Sequence, residues 1–394
     1  MKGCIIQRNG SLRLKVSLGK NQLTGKYESY YETFHGNRTE AQKRLRQILT
    51  DLDRGLFTKP GKTTLADYLN TWLQDYCKPS LSPRTVQLYS YVCRVHLIPS
   101  IGKITLTELR PQHLQTLYSD KLSAGLSPRT VQICHVVLHK ALKNAVRINL
   151  LSRNVAEAVD KPKTQRTEMR PMTEDDLTRF LDTARQGHYY ALFYTYLFTG
   201  MRRSELLAVR WCDADLATMQ ISVSRTMQYL SGVKNHVTFK EPKSKHSRRL
   251  IALSPSTVLI MREHRAAQDN ARRSLDLPPT ADTDLVFSRW DGSPLLPDSV
   301  THAWVKLVRK CGLRGIRLHD ARHTHATIML KQGIHPKIVQ ERLGHSTIST
   351  TLDTYSHVAP GLQQAAAMAF DDILHEDSAA PSLTRPYEPT SASS

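Results

Sequence analysis

The chain has 394 residues, 40% of them hydrophobic, and 55 Lys and Arg against 35 Asp and Glu give a formal net charge of +20. The length predicts two or three domains, and the charge predicts a polyanionic partner such as nucleic acid or an anionic membrane. No apolar run approaches the roughly 20 residues a membrane span needs, no signal-peptide core opens the chain, and the six cysteines form no CxxC pair, which argues against a disulfide framework or a zinc ribbon; a soluble cytoplasmic protein is expected.

Residues 1–58 predict a small sheet followed by a helix. Leu12, Leu14, Val16 and Leu18 alternate with Arg13, Lys15 and Ser17, the period of a half-buried strand. Asn9-Gly10 just before them is a hairpin-turn signal. Tyr27 to Phe34, rich in aromatics, predicts another strand. Thr39 is the expected cap of a helix with Ala41, Leu45, Ile48, Leu49 and Leu52 on one face, ended by Gly55. Over residues 1–60, twelve Lys and Arg against five Asp and Glu leave +7. This is either a solvated basic surface or a sheet laid in a nucleic-acid groove with Arg13 and Lys15 outward, and the charge density favours the second.

Residues 62–160 predict helices only. Leu65, Tyr68, Leu69, Trp72 and Leu73 fall at helical spacing. Two later helices open on the same text, Leu81-Ser82-Pro83-Arg84-Thr85-Val86-Gln87 and Leu126-Ser127-Pro128-Arg129-Thr130-Val131-Gln132. Serine at the N-cap and proline in the first turn are strong start signals. The second helix sets Val131, His135, Leu138, Leu142 and Val146 on one face, interleaved with Lys140, Lys143 and Arg147. It reads as a basic module gripping phosphates, Arg84 and Arg129 included, or as a bundle with a charged exterior. Residues 161–171 are polar and basic, a linker. Thr173 and Asp176, in capping-box spacing, restart a helix. Residues 172–375 form the largest unit, apolar helices around a β-rich insert from about Met219 to Leu253. Residues 376–394 are rich in Ser, Pro, Ala and Thr and are expected to be disordered.

The chemistry lies in the second half. Thr199-Gly200-Met201-Arg202-Arg203-Ser204-Glu205 follows an apolar helix, where glycine permits a sharp exit and Arg202 stands one turn from Glu205. Leu318-His319-Asp320-Ala321-Arg322-His323-Thr324-His325 is followed by Gly344-His345 and by Asp353-Thr354-Tyr355-Ser356-His357, together read as one helical segment. Arginine grips phosphate through a two-bond fork, histidine moves a proton near neutral pH, and tyrosine attacks when activated. His319 and His323, four apart, could hold zinc. The H-E-x-x-H form is absent, however, and no third ligand is set by spacing, so metal is disfavoured.

These boxes resemble the catalytic domain of the tyrosine recombinases, the integrase family of phages and mobile elements. TG-x-R with a following acid matches Thr199 to Glu205, H-x-x-R matches His319 to Arg322, L-G-H matches Leu343 to His345, and the tyrosine box matches Tyr355. The hairpin lysine matches Lys243, with Lys245 as competitor. Any single box is weak; all of them in order are specific. The resemblance implies a multidomain, mostly α protein: an arm-type DNA-binding module (1–58), a helical core-binding domain (62–160) and a mixed α+β catalytic domain (172–375). It implies a site-specific recombinase acting on double-stranded DNA attachment sites, most plainly to integrate or excise a mobile element or phage genome. Tyr355 would be the nucleophile, His319 the base, Arg202, Arg322 and His345 the phosphate clamp and Lys243 the acid, through a 3′-phosphotyrosyl intermediate without metal or ATP. It also implies a tetramer on DNA, coupled through a helix bearing Leu362, Ala366, Phe370 and Leu374, with DNA-bending or directionality proteins as further partners. Two rivals share the residues. A type IB topoisomerase acts as a monomer on any sequence, and the basic N-terminus and apolar C-terminal helix argue against it. A DNA-binding regulator with idle catalytic residues is disfavoured by the completeness of the set.

Overall fold

The computed structural model describes residues 3–8, 11–20, 25–53, 61–164, 170–230, 237–242, 247–355 and 367–368. The chain divides into two compact units, Met1–Arg166 and Thr167–Ser394.

The first unit opens with an antiparallel sheet, β1 (Gly3–Arg8), β2 (Ser11–Lys20) and β3 (Tyr27–Phe34), followed by helix α1 (Arg38–Asp53). The alternation along β2 sends Leu14 and Val16 into a small core with Tyr30, Ala41 and Ile48. The pleat turns Arg13 and Lys15 to the other face, where the Arg13 guanidinium lies 4.5 Å and the Lys15 ammonium 5.8 Å from the Tyr31 ring centre. The cap of α1 differs from expectation. Asn37 Oδ1 accepts from the Glu40 amide at 2.8 Å, and Glu40 Oε2 accepts from the Asn37 amide at 3.2 Å. Asn37 is therefore the capping residue and Thr39 lies inside the helix. The reciprocal pair satisfies two backbone donors at once, which a Thr39 cap could not do with the acidic residue only one position later. Asn9, Gly10 and Gly55 lie outside the described residues.

A second core in this unit is all helical: α2 (Leu65–Thr71), α3 (Lys78–Ser80), α4 (Pro83–Val92), α5 (Ile98–Ile101), α6 (Pro111–Ser123) and α7 (Pro128–Arg147). Ser82 and Ser127 cap α4 and α7 as read from their repeated text, each accepting from the amide three residues on. Two wide π-turns, Trp72–Cys77 and Cys93–Leu97, have no signature in the residue pattern; there Lys78 and Ile98 donate five residues back. Each stands one residue before a proline, Pro79 or Pro99. A proline ring clashes with the carbonyl four residues earlier, and the wider turn relieves it.

The second unit comprises α8 (Glu174–Ala184), α9 (Tyr190–Thr199), α10 (Arg203–Leu206), β4 (Ala214–Asp215), β5 (Gln220–Val223), β6 (Thr226–Tyr229), β7 (Val237–Lys240), β8 (Arg249–Ala252), α11 (Pro255–Arg273), α12 (Pro297–Lys310), α13 (Asp320–Lys331), α14 (Pro336–Leu343) and α15 (Ile348–Tyr355). The strands make a β4-β5-β8 sheet and a β6-β7 pair, all antiparallel. Trp304 is fully buried, its ring centre 4.5 Å from that of Phe180 and 5.3 Å from that of Phe193. Thr173 and Asp176 form the expected capping box of α8. One reading is corrected: the stretch from Leu318 to His357 is not a single helical segment. Residues 320–355 form three helices, α13, α14 and α15, broken at Gly333 and Gly344, which both have positive φ. That conformation ends a helix and suits glycine.

Replacing Asn37 by Ala should ease opening of the first turn of α1 by about 1 kcal/mol, whereas Thr39→Ala should change it by less than about 0.5 kcal/mol. Hydrogen exchange of the α1 amides measures both.

Candidate active site

Two glycine turns organise the site. Gly200 closes α9 at φ 62° and Gly344 closes α14 at φ 69°, both left-handed. The last carbonyls of a helix have no partner inside it, and here they receive arginines. Arg322, 2% exposed, donates from Nη1 to Gly200 O at 2.7 Å and from Nη2 to Leu343 O at 2.8 Å. Arg202 donates from Nη2 to Gly344 O at 2.8 Å. The boxes around residues 200, 322 and 344, far apart in the chain, are thus bound into one cluster. A Cβ on Gly200 would meet the His325 ring at 2.6 Å and one on Gly344 would meet Arg249 Nη1 at 2.9 Å, so conformation and space both demand glycine.

Glu205 lies beneath Arg202 at 3% exposure. Its Oε1 accepts from Arg202 Nη1 at 2.7 Å, and its Oε2 accepts from the Arg202 amide at 2.9 Å and from Arg249 Nη2 at 2.9 Å. Burial pushes this carboxyl up, but the Arg249 and Arg202 charges outweigh burial and hold it below the ordinary carboxylate range. Arg342 is a further, half-buried cation; it donates to His325 Nε2, Ala252 O and Phe198 O, each at 3.0 Å. Arg202, Arg249, Arg322 and Arg342 outnumber the carboxylates Glu205 and Asp320 here and leave this region net positive, as an anion site requires.

The imidazoles beside them are held neutral. His319, at the N-cap of α13, sits below the usual histidine range through burial, reinforced by the Arg322 charge and opposed by Asp320. A helix N-terminus also disfavours a cation there. The His323 ring stands edge-on to His319, with centres 4.9 Å apart, and burial lowers it to about 4. Burial, with Arg322 and Arg202 nearby, likewise lowers His345 to about 4. His345 Nδ1 and Thr351 Oγ1 are hydrogen-bonded at 2.9 Å, which ties the Gly344 turn to α15. Tyr355 ends α15 one turn after Thr351, a spacing that shares a helix face.

Five of the six sequence-predicted site positions lie on this framework: Arg202, His319, Arg322 and His345 by side chain, Tyr355 by backbone. Lys243 and Lys245 fall outside the described residues, between β7 and β8. His319 and His323, weighed above as a zinc pair and disfavoured, belong to no group of three or more His, Cys, Asp or Glu that could hold a metal among the described residues. Sequence reading missed Arg249, Arg342 and Thr351, which no motif marks; an arginine opening a strand next to an apolar run (Leu250, Ile251) is the only hint. In the first unit, Lys140, Lys143 and Arg147 are exposed on α7 and line a cleft of about 710 Å³ with Trp72, Tyr76 and Arg153. Arg84 and Arg129 are exposed in the first turns of α4 and α7.

Residues 170–361 match the phage integrase family model, and residues 64–122 match the N-terminal SAM-like domain of phage integrases. The ICEBs1 integrase of Bacillus subtilis is 25% identical over 368 residues, 93% of this chain and 98% of that protein. A tyrosine recombinase XerC-like protein of Caldanaerobacter subterraneus is 25% identical over 378 residues, 92% of this chain and 96% of that one. Among solved structures, the Tn1549 transposon integrase in complex with circular intermediate DNA has a TM-score of 0.65 at 19% identity, over 79% of this chain and 99% of that one. A lambda integrase tetramer bound to a Holliday junction has a TM-score of 0.58 at 16% identity, over 90% of this chain and 95% of that one. The fold is that of the integrases in these structures. The chain belongs to the phage integrase family and is a recombinase of the tyrosine type.

Gly344→Ala should lose at least about 1 kcal/mol from the left-handed backbone alone and more from contact with Arg249. Gly315, at φ 82° with nothing within 4 Å of an added Cβ, is the control. Thermal melting should place Gly344→Ala clearly below Gly315→Ala.

Proposed function

We propose that this enzyme cuts and rejoins double-stranded DNA at attachment sites through a phosphotyrosine at Tyr355, integrating or excising a mobile element. The observation that carries this reading is the anchoring of Arg202 and Arg322 on the Gly200, Leu343 and Gly344 carbonyls beside imidazoles kept neutral. A tyrosine hydroxyl with an ordinary pKa near 10 needs a base as it attacks. His319 is that base: neutral at pH 7, it takes the phenol proton while Tyr355 Oη bonds to phosphorus. Charge building on the non-bridging oxygens is met by Arg202 and Arg322, with His345 as a further donor. Their orientation is set before substrate arrives, so little reorganisation accompanies the reaction. The P–O5′ bond breaks, and Lys243 protonates the departing oxygen, with Lys245 the alternative. A 5′ hydroxyl from the partner duplex then attacks the phosphotyrosine, and the proton transfers run in reverse. The phosphodiester energy is conserved in the ester, so the arginines supply the electrostatics that Mg²⁺ provides elsewhere.

Residues 1–58 would contact arm sites through Arg13 and Lys15, and residues 62–160 would grip the core site through Arg84, Arg129, Lys140, Lys143 and Arg147, with the catalytic domain over 172–375. Exchange between two duplexes cuts four strands, so four protomers assemble, as in the lambda integrase tetramer. DNA-bending or directionality proteins would assist, and the work would be done in the cytoplasm.

The decisive experiment incubates the protein with a nicked suicide duplex carrying its site. A covalent adduct should form, Tyr355→Phe should abolish it, and Arg322→Lys should slow it by roughly 10²-fold or more. Because burial and Arg322 hold His319 low, the base stays neutral further into acid than an exposed histidine. The rate should therefore fall only below the ordinary histidine range, and Arg322→Lys, which retains the charge, should move that limb little. Failure to trap any adduct, or an adduct retained by Tyr355→Phe, ends this reading.

A further inference from the structure

Arg249 lies outside the recognised boxes. It opens β8 with 7% of its side chain exposed. Burying a guanidinium is costly unless its donors are met, and here they are met in a specific way. Nη2 donates to Glu205 Oε2 at 2.9 Å, Nε to Arg342 O at 2.7 Å and Nη1 to Ser247 O at 3.1 Å. One planar group therefore joins three things: the carboxylate that holds Arg202, the α14 carbonyl just before the Leu343-Gly344 turn, and the approach to β8. Arg202 meets the same carboxylate through Glu205 Oε1 and the same turn two residues further on, at Gly344 O.

From this closed circuit we infer that Arg249 is a positioning residue for strand cleavage, orienting Arg202 through Glu205 and locking the Gly344 turn through Arg342 O. The inference rests on the recombinase reading above but assigns Arg249 no contact with DNA. Its logic is electrostatic as well as geometric. The groups facing Glu205 are Arg202 at the start of α10, Arg249 on β8 and Tyr196 on α9, whose hydroxyl feels the Glu205 charge. Without Arg249, Arg202 alone must keep the buried carboxylate ionised. Burial then gains weight and Glu205 takes up a proton at higher pH. A protonated Glu205 no longer fixes the Arg202 fork.

The test compares wild type with Arg249→Met, Arg249→Lys and Glu205→Gln in the full chain. It reads the rate of adduct formation at saturating protein across pH, the affinity for uncleaved duplex, and thermal melting across pH. Arg249→Met should slow cleavage by at least about tenfold and change duplex affinity less than about threefold, while the acid limb of the rate, set by His319, stays near its wild-type place. Arg249→Lys keeps the charge and should recover part of the lost rate. In a Glu205→Gln background, Arg249→Met should slow cleavage little further. Unchanged cleavage in Arg249→Met overturns the proposal, as does a loss accounted for by weaker duplex binding. Melting decides the Arg249–Glu205 linkage without chemistry. A depressed carboxylate stabilises above its unfolded pKa, and that stability is lost as pH falls through its folded value. Arg249→Met should bring the acid-side loss to higher pH, and coincident melting profiles overturn the proposal. A wild-type chain that forms no adduct refutes the recombinase reading, while the melting comparison still decides the linkage.

Discussion

The site depends on arginine side chains meeting backbone carbonyls at two left-handed helix ends. Gly200 and Gly344 end α9 and α14 with carbonyls that the helices themselves leave without partners. Arg322 spans both turns and Arg202 reaches the second. Each guanidinium carries five donors in a rigid plane, so bonds to carbonyl groups orient the plane while leaving the charge unneutralised. A carboxylate in the same place would have cancelled the attraction for an anion. Carbonyl groups satisfy the geometry and preserve the field.

The exception is Glu205, the carboxylate placed under Arg202 and Arg249. Its position limits how much positive charge the fold must hold apart. Two like guanidiniums repel one another, and one shared carboxylate binds both. Arg342 shows the other solution, donating to two carbonyl groups and to His325, which burial lowers to about 3 and so keeps a neutral acceptor. Burial, with Arg322 nearby, also depresses His319, His323 and His345. One arrangement of charge thus has two consequences: the region favours an anion, and the imidazoles stay unprotonated.

Much of the architecture was legible because it follows short-range rules. The alternation in β2, the Ser-Pro starts of α4 and α7 and the capping box of α8 each depend on a few adjacent residues. The cap of α1 was misread because Asn37 and Thr39 are both capping types, and the choice turned on where Glu40 could reach back. The π-turns before Pro79 and Pro99 were invisible because the strain of a proline inside a helix is resolved in more than one way. The three helices between Asp320 and Tyr355 read as one because histidine, arginine and threonine carry a weak periodic signal.

The sequence by itself determined which residue types could do the chemistry and their order along the chain, since arginine forks, imidazoles and a phenol are properties of side chains. It pointed to a sharp helix exit at Gly200, while the positive φ at Gly200 and Gly344 came from the fold. Only the tertiary structure decided that Arg202, Arg322 and His345 share one cluster, that Glu205 holds two arginines, and that Arg249 and Arg342 stand behind them. Those relations join residues up to 144 positions apart, and no local pattern encodes which distant carbonyl a buried guanidinium will find once the core has packed.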